Sequence, residues 1–390
     1  MKKETVFVAM SGGVDSSVAA YLLKRQNYDV VGVFMRCYNI DGCAERDAED
    51  ARRVAGHLEI PFYVWDFEEE YKKRVVEYMI DGYRRGLTPN PDVECNREIK
   101  FGLFFDRARS LGADYVATGH YVRLDKSKLR HATRNNSHAA FSMSLFVARD
   151  NNKDQSYFLW TLTQKQLAHC LFPIGEYTKP QVRAIARRVG LPTADKKDSQ
   201  GICFLGNVSV QDFLRQYLPE RRGAVLLALS GAEGTAYRKI GEHAGAHFYT
   251  IGQRHGLGNL KHETGNMKHE PLYVAAKNMR TNTIVVAKGE NNPTLFQKDI
   301  ILRDVHSINP KMFQVSRSRF QVLARVRYRQ PLMKAILVNS DKRHAKKKSR
   351  LHSPLTVSLK FDKPVKFVAP GQSAVLYTKA GVMLGGGIIL

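Results

Sequence analysis

Between the apolar run Thr5–Met10 and the amphipathic stretch Val14–Gln26, the chain reads Ser11-Gly12-Gly13-Val14-Asp15-Ser16-Ser17. A β-branched run, a glycine turn and a helical pattern predict a strand that hands over directly to a helix. In such a turn glycines let the backbone approach an anion, successive N–H groups form a nest, and the helix start adds partial positive charge. The loop lacks the lysine of Gly-x-x-x-x-Gly-Lys-Ser/Thr, so it suits holding pyrophosphate as a leaving group better than γ-phosphoryl transfer. Asp15 is suited to help hold Mg2+ between phosphates. Taken alone, the same residues also describe an ordinary strand-to-helix turn with a serine cap.

The alternation continues for two hundred residues. Val30–Met35, Phe62–Trp65 and Ala113–Ala117 read as strands; Glu45–Leu58 and a charged stretch from Glu68 to Tyr83 read as helices. This pattern predicts an α/β, doubly wound parallel sheet, with ligands at the carboxyl ends of its strands. Both the Ser11–Ser17 turn and Thr118-Gly119-His120 fall at such ends. From about residue 206 turn residues multiply and short alternating runs take over: His247–Ile251, Leu272–Ala275, Thr283–Ala287, Gln321–Tyr328, Ala335–Val338, Leu355–Phe361 and Ser373–Tyr377. Six or seven such runs point to a C-terminal antiparallel barrel or sandwich. The expected division is a catalytic domain over 1–205, a small connector domain over 206–280 and a β-barrel over 281–390. Asp125–Ser144 reads as a surface insertion.

The charge is unevenly placed. Residues 1–100 carry 15 basic and 18 acidic side chains, 101–300 carry 28 and 16, and 301–390 carry 18 and 3. A basic field at that end favours a polyanionic partner, most simply nucleic acid, although Lys342–Arg350 also fits a solubilising loop. No apolar run approaches the roughly 18 residues of a membrane span, and the start of the chain has no secretory or transit pattern, so a cytoplasmic protein is expected. The five cysteines Cys37, Cys43, Cys95, Cys170 and Cys203 form no Cys-x-x-Cys and no zinc-finger spacing. A disulfide framework and a structural zinc site are not expected, leaving inert buried thiols or reactive ones.

The first loop resembles the PP-loop of the N-type ATP pyrophosphatases, which adenylate a carbonyl oxygen and release pyrophosphate. Further blocks narrow the resemblance: Thr88–Phe101 (TPNPDVECNREIKF), Ala117–Tyr121 (ATGHY), Lys153–Leu159 (KDQSYFL), Asp198–Phe204 (DSQGICF), His247–Gly258 (HFYTIGQRHGLG), Arg327–Gln330 (RYRQ) and Pro370–Ser373 (PGQS). In order and over nearly the whole chain, they are similar to the tRNA-specific 2-thiouridylase (MnmA/TrmU) family.

That resemblance implies an ATP-dependent sulfurtransferase that forms 2-thiouridine at the tRNA wobble position. ATP, with Mg2+ arriving on it rather than at a dedicated protein site, would bind Ala9, Met10, Ser11, Gly12, Gly13, Val14, Asp15, Ser16, Met35 and Gly119. Asn90, Pro91 and Asp92 would shape the target-base pocket, with Asp92 the candidate for acid–base work. Cys203 would carry the persulfide. Cys95 would attack it or resolve the intermediate, helped toward thiolate by Arg97 and Lys100. His120, Lys153, Asp154, Gln155, Arg327, Tyr328 and Gln372 would contact tRNA. Arg325, Arg327 and Arg329 alternate as if one strand face presented three arginines to an RNA backbone, though an edge strand guarded by charge reads the same way. The partners implied are glutamate, glutamine and lysine tRNAs and a persulfide donor protein.

Outside the resemblance, each cysteine would be read as core, Asp92 as the end of an Asx turn, His120 as a satisfied imidazole and Met35 as packing. Two other functions fit parts of the sequence: another PP-loop adenylating enzyme, which has no use for paired cysteines, and a non-catalytic tRNA-binding protein, which has no use for an intact loop. Whether Cys95 and Cys203 pair as a disulfide is left open by the sequence.

Overall fold

The computed structural model of the chain describes residues 3–38, 42–126, 143–198, 204–206, 208–229, 236–257, 270–308, 320–339 and 356–390. Cys203, most of the 125–144 insertion and the 342–350 basic run lie outside them. The first strands are β1 (Thr5–Ala9), β2 (Asp29–Arg36), β3 (Phe62–Asp66) and β4 (Tyr115–Thr118), and after the hairpin β5 (Arg123–Asp125) and β6 (Ser144–Phe146) comes the short β7 (Cys170–Leu171). Five of them form a parallel sheet in the order β3-β2-β1-β4-β7. Val6, Val8 and Val33 have no exposed surface, as β-branched strands covered on both faces require.

The helices of this domain are α1 (Val14–Arg25), α2 (Cys43–His57), α3 (Glu68–Tyr71), α4 (Glu77–Arg84), α5 (Pro91–Cys95), α6 (Phe104–Ser110), α7 (Gln164–Ala168) and α8 (Lys179–Arg188). The expected charged helix from Glu68 is α3 and α4 joined by a π-helical turn over Lys72–Val76, and a second π segment, Asn96–Leu103, joins α5 to α6. Such π segments recur at functional sites.

After α9 (Val210–Arg215) the chain builds β8 (Gly223–Leu229), β9 (Ala236–His243), β10 (Leu272–Asn278) and β11 (Thr283–Lys288), a four-stranded sheet in the order β10-β11-β8-β9. The run at Thr283 thus pairs with β8 and β10, not with the barrel expected from residue 281. The expected strand at His247–Ile251 is instead a 3-10 turn over Ala246–Phe248. Gly245 at φ +156° turns the chain there, and Asn282 Oδ1 takes the Ala246 N–H that a ladder would have used.

Strands β12 (Phe296–Ser307), β13 (Phe320–Arg325), β14 (Met333–Asn339), β15 (Val357–Lys366), β16 (Ser373–Tyr377) and β17 (Met383–Ile389) close into a barrel, so of the two expected all-β forms it is the barrel that occurs. Closure removes the exposed edges that a two-sheet sandwich would keep. The barrel meets the parallel domain along β16: Tyr157 Oη donates to the Ser373 carbonyl at 2.8 Å, Trp160 Nε1 to Ser373 Oγ at 3.0 Å, and Ser156 and Tyr377 share a hydroxyl contact at 2.9 Å. Buried Arg325 pairs with buried Asp154 at 3.1 Å. A buried pair without other partners would cost more than it returns, but Asp154 also accepts the Ala148 and Ser156 N–H groups.

Candidate active site

The turn at the carboxyl end of β1 is made by Gly12 at φ +70°, and Gly13 leads into α1 in extended conformation. No side chain caps α1, so its first-turn N–H groups stay available to an anion. The hydroxyls of Ser16 and Ser17 donate back to the Gly13 carbonyl at 3.1 and 2.8 Å, while the Ser11 N–H donates to Ser16 Oγ. Gly119 follows β4 and lies against this loop: a Cβ there would sit 2.6 Å from the Ser16 nitrogen. These are the features a polyphosphate cradle requires. Around it, Ala9 and Val14 are buried, and buried Met10 sets its sulfur over Gly32 of β2. Met35 is half-buried near the end of β2, beside Trp65 of β3.

Asp15 does not stand free. Lys179 Nζ, on the first residue of α8, donates to both its carboxylate oxygens at 2.8 Å, and Tyr121 Oη donates to Oδ1 at 2.8 Å. Burial first, then the Asp15 charge, drives the Tyr121 hydroxyl pKa far up, so it remains a donor. Lys179 also reaches Asp198 at 2.8 Å, and Asp198 is paired with Lys153 at 2.6 Å and Arg183 at 2.7 Å. Burial alone would raise the Asp198 pKa; the hydrogen bonds from Lys153 and Lys179 instead carry it down to about 2. Lys179, Arg183 and Tyr121 were not singled out by the sequence reading. A capping box, Thr178 with Gln181, does mark the helix start that presents Lys179.

The base-pocket residues sit at the start of α5. Asn90 caps the helix, its Oδ1 accepting the Val93 N–H at 3.3 Å, and Pro91 fills the first helical position. One turn on, Cys95 is buried and is a free thiol. The Lys100 charge bears on Asp92, Cys95 and His120 alike. Burial raises the Asp92 carboxyl pKa, with Lys100 opposing. Burial likewise pushes the Cys95 thiol up, against Lys100 and a hydrogen bond with Tyr71. The expected help toward thiolate from Arg97 is therefore corrected: this guanidinium turns outward to Glu94 and Glu98, and desolvation outweighs what Lys100 supplies. The Tyr71 ring lies 5.8 Å from that of Phe204, the residue next to Cys203.

Several expected RNA contacts are occupied within the protein. His120 is buried, shares a 2.7 Å hydrogen bond with Thr118 Oγ1, and burial holds its imidazole well below the usual range, hence neutral. Gln155 Oε1 accepts the Tyr121 N–H at 3.0 Å. Gln372 Nε2 donates to the carbonyls of Thr88 and Pro89. Nor do Arg325, Arg327 and Arg329 line one strand face: β13 ends at Arg325, which points inward to Asp154. Arg327 donates to the Ile251 carbonyl, and Tyr328 packs on Phe158 with ring centroids 4.5 Å apart. Arg329, at φ +64°, is exposed in a turn over Tyr328.

Comparison with known proteins covers all three parts. Residues 4–207 match the family described as tRNA methyl transferase HUP domain, 211–288 the tRNA methyl transferase PRC-barrel domain, and 297–389 the aminomethyltransferase beta-barrel domain. A tRNA-specific 2-thiouridylase MnmA 1 of Geobacillus kaustophilus is 46% identical over 100% of this chain and 96% of its own length. The tRNA-specific 2-thiouridylase MnmA of Staphylococcus aureus is 41% identical over 98% of this chain and 94% of its own. Among solved structures, NMN synthetase from Francisella tularensis overlaps 54% of this chain and 71% of its own at 16% identity, with a TM-score of 0.31, too little to argue from. Matched end to end at these identities, the chain belongs to the tRNA-specific 2-thiouridylase (MnmA) family.

Proposed function

We propose that the chain is an ATP-dependent tRNA sulfurtransferase that converts the wobble uridine to 2-thiouridine. ATP, brought in with Mg2+, adenylates the uracil C2 oxygen and pyrophosphate leaves. Cys203 carries the sulfane sulfur as a persulfide received from a donor protein. Cys95 releases that sulfur for attack at C2, AMP departs, and the two cysteines are left as a disulfide for a thiol to reopen. The uracil C2 edge must leave the anticodon stack to react, so the base is flipped into the pocket beside Asn90, Pro91 and Asp92. Asp92, its carboxyl pKa raised by burial, is suited to proton handling there. Glutamate, glutamine and lysine tRNAs are the expected acceptors. No described helix is long and apolar enough to cross a membrane, in keeping with work on tRNA in the cytoplasm.

The observation that carries the reading is where the two flanks of the Cys203 segment lie. Asp198 is bound to Lys179 beside the phosphate loop, while Phe204 packs on the tyrosine that hydrogen bonds to Cys95. A segment tied at one flank to the ATP loop and at the other to the second thiol suits sulfur delivery to an adenylated base. The test incubates protein, unmodified tRNA, ATP, Mg2+ and a persulfide donor, comparing wild type with Cys203→Ser. Wild type alone should yield 2-thiouridine in digested tRNA, with AMP formed alongside. ADP and phosphate as products, or full thiolation by Cys203→Ser, would overturn the reading.

A further inference from the structure

Helix α3 reads Glu68-Glu69-Glu70-Tyr71, three exposed carboxylates and one ring that is 2% exposed. We propose that Tyr71 is a positioning residue for sulfur transfer, its hydroxyl donating to the Cys95 sulfur and holding it as the attacking thiolate. This rests on the reading of Cys95 as the thiol that displaces sulfur from the Cys203 persulfide.

Three observations carry it. The Cys95 side chain makes a hydrogen bond with Tyr71, and both are buried in one apolar cluster with Val75, Ile99 and Phe101. Packing alone would be served by phenylalanine, which fills the same cluster at Phe67, Phe101 and Phe104. A hydroxyl in such surroundings costs free energy unless it is bonded, so its presence points to the sulfur it meets. Next, the nearby cations act differently. Arg97 is turned outward to Glu94 and Glu98, and Lys100 acts on the sulfur through its charge. Burial pushes the thiol up and the Asp92 charge adds to the rise, while Lys100 and the Tyr71 hydrogen bond oppose it. A donor favours the charged form of its acceptor, and a directional bond also fixes where that acceptor lies.

Finally, the hydroxyl is held on firm supports. The Tyr71 N–H donates to the Phe67 carbonyl at 2.8 Å, and α5, which ends in Cys95, packs on the π turn Lys72–Val76 that follows Tyr71. The ring meets Phe204 edge-on with centroids 5.8 Å apart, and Phe204 meets Tyr38 and Phe213 at 6.3 and 5.5 Å. One side chain thus touches both the Cys95 sulfur and the residue after Cys203.

In the step it serves, the Cys95 thiol has already given its proton to water. The thiolate bonds to the Cys203 sulfur, the bond to the terminal sulfur breaks, and that sulfur leaves as hydrosulfide, free to attack C2. The two cysteines are oxidised to a disulfide as the sulfane sulfur is reduced, so no outside reductant enters. Tyr71 keeps its own proton throughout.

The test compares full-length wild type, Tyr71→Phe and Cys95→Ser in single-turnover tRNA thiolation after persulfide loading. Alongside run ATP titration, thermal melts and, for wild type and Tyr71→Phe, alkylation of Cys95 read by peptide mapping over about pH 7–10. Tyr71→Phe keeps the ring and loses the donor. It should slow Cys95 alkylation about tenfold at a given pH, an upward shift of about one unit. Thiolation should slow about 10- to 100-fold, the worth of a hydrogen bond to a charged group. ATP affinity and persulfide loading should stay within about twofold of wild type. Slowed thiolation with an unmoved alkylation profile would assign Tyr71 to packing and overturn the proposal, as would thiolation at the wild-type rate. Should Tyr71→Phe lack a cooperative melt, Tyr71→Met, whose flexible chain fills irregular space, carries the same comparison. Thiolation by Cys95→Ser at the wild-type rate would instead refute the role given to Cys95 itself, whatever the alkylation profile of Tyr71→Phe.

Discussion

The side-chain amide of Gln372, on the barrel, donates to the Thr88 carbonyl at 2.9 Å and to the Pro89 carbonyl at 3.3 Å, immediately before the base-pocket residues. The contact is reciprocal in the backbone: the Thr88 N–H donates to the Pro370 carbonyl at 2.7 Å. Gly371, at φ +92°, permits the approach, since a Cβ there would stand 2.8 Å from the Thr88 nitrogen. The barrel therefore fixes the catalytic loop as well as adding basic surface.

Gln372→Ala should accordingly act on chemistry at the base and spare the nucleotide. Two hydrogen bonds of about 1 kcal/mol each hold the loop, so kcat/KM for tRNA thiolation is expected to fall about 5- to 30-fold, by about 1–2 kcal/mol of lost positioning. ATP affinity should stay at the wild-type value. Single-turnover thiolation set beside nucleotide titration separates the two; a parallel loss of ATP binding would contradict the assignment.

The Asp154–Arg325 pair is a second tie between barrel and catalytic domain. Asp154→Ala leaves a buried guanidinium uncompensated and should cost about 3–5 kcal/mol of unfolding free energy. A double variant, Asp154→Leu with Arg325→Met, should be more stable than Asp154→Ala, though short of wild type because two backbone N–H groups lose their acceptor. Denaturant titration of the single and double variants decides; strict additivity would mean that the pair is not coupled.

Gly119→Ala tests the contact between β4 and the phosphate loop. The added carbon meets backbone 2.6 Å away, which no side-chain rotation relieves. The loop must move, at about 1–3 kcal/mol, and ATP affinity should drop roughly tenfold or more. An alanine variant with wild-type ATP affinity would show that the loop accommodates the shift freely.

Glu94 sets a pH dependence of stability. Burial lifts its carboxyl pKa from 4.5 to about 7, outweighing the Arg97 ion pair, whose guanidinium is half exposed. The folded protein holds this proton more tightly than the unfolded chain does. Its share of stability is therefore full below about pH 4.5 and is lost as pH rises through 7, by up to about 3 kcal/mol. Glu94→Gln should flatten that decline in melts between pH 5 and 8. An unchanged pH profile would mean that Glu94 is ionised throughout.

The Cys95 thiol, raised by burial, should alkylate at neutral pH about tenfold or more slowly than a free cysteine in solution. Lys100→Met, removing the charge that opposes the rise, should slow it further. Peptide mapping after timed iodoacetamide treatment reads both; rapid labelling of Cys95 in the resting protein would contradict them.

The parallel sheet was legible because its strands are β-branched runs between helical patterns, and the phosphate loop because glycine and serine spacing is local information. What lay beyond reading was pairing over distance. Nothing around Thr178-Lys179-Pro180 says that its ammonium reaches Asp15, and the alternation Arg325-Val326-Arg327-Tyr328-Arg329 conceals that the ladder stops at its first residue. Alternation gives the period of a strand and not where its hydrogen bonding ends. At His247–Ile251 the strand-like pattern lost to a glycine turn and an asparagine side chain that took the backbone's donor. Cys95 departs from its reading for a related reason: neighbouring basic residues in sequence promised an activated thiol, but desolvation depends on what the fold stacks above it.

The Gln372–Thr88 tie joins positions 284 residues apart. During synthesis, the pocket loop leaves the ribosome long before the strand that steadies it, so the base pocket is pinned only when the last part of the chain has emerged. A message broken before position 372 therefore leaves the loop ahead of the base-pocket residues without the amide that holds it.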